Sequence, residues 1–200
     1  MISYFTALSI WFPLLIGLKK FSKYESKVKV FVFYLILIAV VEHISIILSI
    51  KCISNLFVYN IIDLVTMLLV AFYLNEKEKV LAFLSWSLFT LTLLIAFIKT
   101  PIKTAQINFI IIYSFIGISG LYLIYKSIKN DAIPFLKTFD FWVKIGFVVC
   151  AILTVIIMAF FDLIVDPTLG PSLVHIHNYG FFIATFLQYL FFSIALLCRH

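Results

Sequence analysis

Seven apolar runs, near residues 2–18, 30–50, 56–74, 80–98, 105–125, 141–161 and 174–198, take up most of this 200-residue chain. Each approaches the roughly 20 residues that a helix needs to cross the hydrocarbon of a bilayer. The links between the runs span about 5 to 15 residues. They leave no room for a soluble domain, and no repeat or low-complexity segment is visible. In lipid a segment must satisfy its own backbone polar groups, so runs of this length read as α-helices. Composition agrees, with 64% hydrophobic and 12% charged residues and a mean hydropathy of +1.19. A soluble domain carries about twice that share of charge. The expected fold is therefore all-α: one polytopic membrane domain over residues 1–200 with seven transmembrane helices. Pro13 should kink the first of them. That run has neither a basic leader nor a small-x-small cleavage pattern. It is expected to remain as a helix and not to be removed as a signal peptide.

Cations set the expected orientation. Lys19, Lys20, Lys23, Lys27, Lys29, Lys77, Lys79, Lys126, Lys129, Lys137, Lys144 and Arg199 fall on one side of the alternating runs, and Lys51, Lys99 and Lys103 on the other. Twelve against three places the amino terminus outside and the carboxyl terminus in the cytoplasm by the positive-inside rule. Tyr4, Tyr59 and Tyr179 then mark the outer boundary, and Tyr24, Tyr73, Tyr125 and Trp142 the inner one. The net charge of +6 follows from this topology, so direct nucleic-acid binding is not expected. Within KKFSKYESKVK, the residues Lys19, Lys20, Lys23, Lys27 and Lys29 are candidates for holding anionic lipid headgroups. Lysine outnumbers arginine 14 to 1, as in proteins of AT-rich bacterial genomes, so the expected location is a bacterial inner membrane. Cys52, Cys150 and Cys198 have neither pairing nor metal spacing and read as structural.

Ionisable groups inside such runs are costly, about 2.5–3.5 kcal/mol each on insertion scales, and each needs a reason. VVEHISIIL carries Glu42, His43 and Ser45 in the second run. Asn60 and Asp63 lie in the third, three apart and so on one helix face. Reflection about the short turn at Cys52 sets Glu42 opposite Asp63 and Ser45 opposite Asn60. Two carboxylates at one depth would need a shared proton, a bound cation or His43 as counter-ion. A second, outer group comprises Asp162, His175, His177 and Asn178. These residues either line one cavity open to the outer face or bind helices together by hydrogen bonds. Ser114, Gly117 and Gly120 form a small-residue strip that should let another helix approach closely.

Three functions fit this pattern. The first is a non-enzymatic membrane accessory, regulator or effector, because no nucleotide loop or cytoplasmic domain is present to carry chemistry. FDFWVKIGFV, HNYGFF and LLCRH, within about the last 60 residues, resemble a group of small seven-helix membrane proteins of Bacteroidota. In size and helical content the chain also resembles the membrane accessory proteins encoded beside type VI-B CRISPR effectors. That resemblance implies a role in modulating an RNA-guided, RNA-targeting defence system. The second is an intramembrane zinc hydrolase. Seven helices with an outside amino terminus, an acid on helix three and histidines on helix seven are similar to the ceramidase and adiponectin-receptor superfamily. That likeness implies zinc-bound water as nucleophile. The chain departs from it in having His175-x-His177, where that superfamily has His-x-x-x-His, and in placing His43 before Ser45. The third is a proton- or cation-coupled transporter or an oligomeric channel, to which paired intramembrane acids are suited. The residues themselves name no cofactor. Expected partners are the bilayer and either another protein or further copies of this chain.

Overall fold

The computed structural model describes residues 7–51, 56–75, 78–97, 102–130, 135–160 and 172–198. Among them the α-helices are α1 (Trp11–Lys19), α2 (Ser26–Ile50), α3 (Leu56–Asn75), α4 (Lys79–Phe97), α5 (Ile102–Asn130), α6 (Phe139–Ala159) and α7 (Ser172–Leu197). Short 3-10 turns lie at Phe21–Lys23 and Phe135–Lys137, and no strand occurs among the described residues. Each helix coincides with one apolar run. Four stretches are long and apolar enough to cross a membrane: Ser26–Ile50, Phe109–Lys129, Phe139–Ala159 and Asn178–Leu197. Shorter apolar helical stretches cover Ala7–Lys19, Asn60–Val70 and Lys79–Leu94 among the described residues. The chain is thus an all-α membrane protein. Among the described residues, length and hydropathy support four crossings, against the seven expected.

α2 shows why this surface belongs in lipid. Phe31, Val32, Leu35, Ile38 and Ala39 are buried, yet Val30, Phe33, Leu37, Val40, Ile44 and Ile47 are all exposed on the other face. A helix apolar all round needs protein on one side and hydrocarbon on the other. Near the amino terminus, Pro13 has no N–H to offer the carbonyl of Ser9. Ile10 keeps helical dihedrals (φ −65°, ψ −23°), so the helical path runs on from Ala7 through Lys19 despite the proline.

The helices close into a ring. Sequential neighbours pack together, α7 returns against α1, and α3 and α4 both reach α5. Lipid supplies no hydrophobic force between helices, so close fit must hold them. The α5 strip does this against α6. A Cβ at Gly117 would touch Ala151 at 3.5 Å, and one at Gly120 would overlap Val148. On its other side α6 uses Gly146, where a Cβ would lie 2.7 Å from the Phe192 ring and 3.3 Å from the Gln188 carbonyl oxygen. The ring centre is aromatic. Phe31 of α2 meets Phe139 and Phe192 edge-on at 5.3 and 4.9 Å, and Phe192 meets Phe147 at 5.1 Å.

One end of the bundle is tied by polar groups. It is the lysine-rich end, where α2, α4 and α6 begin. Tyr24 donates to the Leu196 carbonyl at 2.8 Å, and burial pushes its phenol up from the usual range. Lys27 pairs with Asp140 at 3.0 Å, and Lys126 pairs with Glu78. Thr138 caps α6 by accepting from the Phe141 N–H at 3.3 Å, and Trp142 Nε1 donates to Leu136 O at 2.7 Å. Together these bonds join α2 to α6, α4 to α5, and the α1–α2 link to the end of α7. Replacing Gly146 by Ala forces a methyl into Phe192 and should cost about 1–3 kcal/mol, the usual range for overpacking. Unfolding in mild detergent, compared with Gly→Ala at the looser Gly117, measures it.

Candidate functional site

Among the described residues Asp63 is the most deeply placed acid, with 1% of its surface exposed. The apolar runs of α3 carry it inside, and Thr66, one turn on, shares its face. The Tyr113 hydroxyl of α5 hydrogen-bonds the Asp63 carboxyl, while Asp63 Oδ1 has no hydrogen-bond partner among the described residues. Tyr34 of α2 shares a hydrogen bond of 3.3 Å with Thr66. Tyr34 also interacts electrostatically with Asp63, Glu42 and Cys150. Tyr189 of α7 lies within range of Glu42, Tyr34 and Cys150, and Tyr113 within range of Tyr189. Five helices therefore send polar side chains to one interior cluster: Tyr34 and Glu42 from α2, Asp63 and Thr66 from α3, Tyr113 from α5, Cys150 from α6 and Tyr189 from α7. The Cys150 sulfur faces Thr154 Oγ1 at 3.9 Å.

The two acids share neighbours without bonding to each other. Glu42 is half-buried, its electrostatic partner on its own helix is His43, and no hydrogen bond joins it to Asp63. Mirror reflection of the α2–α3 hairpin would set Tyr34 opposite Ala71. Its bond instead goes to Thr66, five residues nearer the turn. The common neighbour of both acids is Tyr34.

His43 points elsewhere. Its Nδ1 lies 2.6 Å from the Ala39 carbonyl oxygen, and Trp11 Nε1 donates to its Nε2 over 3.4 Å. An indole N–H can only donate, so Nε2 accepts and Nδ1 carries the proton. The two rings meet edge-on at 5.8 Å. With both nitrogens engaged in this way the ring docks α2 on α1 while staying within electrostatic range of Glu42.

Of the other expected residues, Ser45 is buried on α2 and Asn60 half-buried on α3, one turn from Asp63. Asn178 is exposed on α7. Asp162 lies outside the described residues, and so do the side chains of His175 and His177. Among the basic candidates Lys19 and Lys23 are exposed, Lys20 is half-buried, Lys27 holds Asp140, and Lys29 stands 5.9 Å from the Phe21 ring centre. Cys150 and Cys198 are free thiols, and Cys52 is outside the described residues. No group of three or more His, Cys, Asp or Glu able to hold a metal ion is present among the described residues. Tyr113 and Tyr189 are the functional residues that charge-based reading passes over. Their signal was position, because both sit mid-run and not at a boundary where tyrosine is ordinary.

No protein-family model, curated protein or solved structure matches this chain.

Removing one partner of a buried hydrogen bond costs more than removing both. Thr66→Val should therefore destabilise the protein by roughly 1 kcal/mol, and adding Tyr34→Phe should recover part of that loss. Equilibrium unfolding of the single and double variants in detergent checks both signs.

Proposed function

We propose that this chain is a membrane-embedded accessory or regulatory protein without covalent chemistry of its own. Its interior cluster holds a proton or a small cation, and the state of that site sets how α2, α3, α5, α6 and α7 pack. The observation that carries this reading is a buried carboxyl with one unpartnered oxygen, bonded by Tyr113 of α5 and neighboured by Tyr34 of α2. A change of charge at Asp63 acts on several helices at once, which suits a switch. Tyrosine and threonine hydroxyls with a carboxylate are hard oxygen donors, the set that small alkali or alkaline-earth cations prefer. The engagement of both His43 nitrogens favours this reading over a zinc hydrolase.

In the same proposal all seven helices of a single domain cross a bacterial inner membrane, with the amino terminus outside and the carboxyl terminus in the cytoplasm. The uneven distribution of lysines supports that orientation. The likeness of its last 60 residues to small Bacteroidota membrane proteins, and of its size to type VI-B accessory proteins, supports a partner in RNA-guided defence.

The test is genetic. Cells carry this chain together with a type VI-B RNA-targeting effector and a matching target RNA, and growth arrest is scored. Deletion of the membrane protein should change the response, and Asp63→Asn should reproduce the deletion while the protein stays in the membrane at normal abundance. An unchanged response on deletion overturns the defence role. Ion flux through liposomes that Asp63→Asn abolishes would make the chain a transporter instead.

A further inference from the structure

A cavity lies directly against the interior cluster. On each of four helices, the residue three places from a cluster side chain toward the lysine-rich end lines it: Phe31 after Tyr34 on α2, Leu69 after Thr66 on α3, Ile116 after Tyr113 on α5 and Phe147 after Cys150 on α6. Three residues are close to one helical turn. The cavity, of about 60 Å³, therefore begins one turn from the cluster and extends toward the lysine-rich end, where Lys27 and Lys144 also line it. Between the cluster and those lysines its wall is apolar except for Ser119.

Ser119 is 3% exposed, and its hydroxyl has no hydrogen-bond partner among the described residues. Other helical hydroxyls in the chain, those of Ser87, Thr90, Thr92 and Ser193, donate to the carbonyl four residues earlier. Ser119 makes no such bond, and its side chain faces the cavity instead. On the cluster side, Asp63 Oδ1 is likewise unpartnered among the described residues. Asp63 and the cavity-lining Val70 are seven apart and so on one face of α3, with Thr66 between them in sequence. Two buried oxygens in need of partners thus bracket the cavity and the Tyr34–Thr66 pair.

The cavity has room for roughly four waters. An apolar wall holds water only as a chain anchored on polar groups. The anchors here are Ser119 and, at the cluster, the two hydroxyls of Tyr34 and Thr66, 3.3 Å apart. A hydroxyl can accept a proton on its oxygen while releasing its own, so this pair passes protons without opening. A metal ion would have to part it. Apolar passages gate by dewetting, so exchange along such a chain is slow, which suits a switch and not a high-flux channel. The titratable groups around Asp63 are Tyr34 and Glu42 from α2, Tyr113 from α5, Cys150 from α6 and Tyr189 from α7. α4 also packs on α3, and it carries no titratable residue between Val80 and Phe97. Glu42 lies eight residues beyond Tyr34 on the side away from the cavity, so it is off this route.

Building on the proton or cation site proposed above, we infer that the ligand of Asp63 is a proton, delivered from the lysine-rich face by a water chain that runs through this cavity from Ser119 to the Tyr34–Thr66 pair. A hydronium at the rim gives its proton to the chain and is left as water. Each water and hydroxyl along it accepts one proton and releases another, and the last proton passes to Asp63 Oδ1. The carboxylate becomes a neutral acid and every hydroxyl ends neutral. The interior cluster thereby senses the pH of the lysine-rich face.

The experiment follows the carboxyl by infrared difference spectroscopy of the full-length protein in sealed liposomes, with its orientation scored by protease access to the lysine-rich loops. The pH is changed on one face at a time, and the protonated-carboxyl band of Asp63 is the one that Asp63→Asn removes. That band should follow the pH of the lysine-rich face and ignore the other. Ser119→Ala removes one anchor and should slow the response roughly tenfold, the rate equivalent of one hydrogen bond. Leu123→Trp fills the cavity without touching a titratable group and should slow it at least as much. Should one variant fail to fold, the other decides. A band that follows the opposite face, or one that responds at the wild-type rate in these variants, overturns the route and leaves a proton site at Asp63 standing. A band moved by sodium or potassium at fixed pH overturns the proton as the ligand and leaves the cation site. A band that answers to none of these overturns both this inference and the ligand site it rests on.

Discussion

A polar group buried between helices in lipid has no water to fall back on, so its partner must come from its own helix or a neighbouring one. In this chain that constraint is concentrated on Asp63. The carboxyl is almost wholly enclosed, and the bond from Tyr113 ties α3 to α5 across the bundle. Tyr34 then links α2 to the same helix through Thr66. These bonds matter more here than in a soluble core, because apolar side chains gain nothing by leaving lipid for protein. What remains to hold the helices is shape, supplied where α6 sits against Gly117 and Gly120 on one side and presents Gly146 to α7 on the other.

Polarity is divided along the bundle. The lysine-rich end is fastened by ion pairs and by hydrogen bonds to backbone, from Tyr24, Lys27, Lys126 and Trp142. The interior cluster has no full ion pair among the described residues and relies on hydroxyls. Hydroxyls can donate or accept, so such a cluster can adapt when a carboxyl gains or loses a proton or meets a cation. A full salt bridge would resist that change. The division suits a protein whose fixed end anchors helices while its interior site changes state.

Much of the fold was legible in the sequence because the bilayer enforces it. Each run marks one of the α-helices of the described residues to within a few residues at most boundaries, and the strip of Ser114, Gly117 and Gly120 announced a close neighbour. Which helix came close could not be read, since packing partners are set by shape across the bundle and not by local pattern. The site was legible in part. Asp63 and Glu42 stood out by charge, while the Tyr34–Thr66 bond that joins their two helices could not be read from the hairpin's reflection. His43 was one candidate counter-ion because it adjoins Glu42; that its ring also meets Trp11 of α1 could not be read from the sequence, since the contact depends on how α1 packs. Tyr113 and Tyr189 drew no attention as site residues: their mid-run depth was legible, but their neighbours are supplied only by the assembled bundle.

The central claim is that Asp63 and Tyr113 act as a unit within the interior cluster. A double-mutant cycle addresses it directly, with Asp63→Asn, Tyr113→Phe and the double variant unfolded reversibly in the same detergent. Interhelical hydrogen bonds in membranes give coupling energies of about 0.6 kcal/mol on average and roughly 1.7 at most, and a favourable coupling in that range is expected here. Strictly additive losses would contradict the account, for they would mean that the two side chains stabilise the bundle independently and that no shared site exists between α3 and α5.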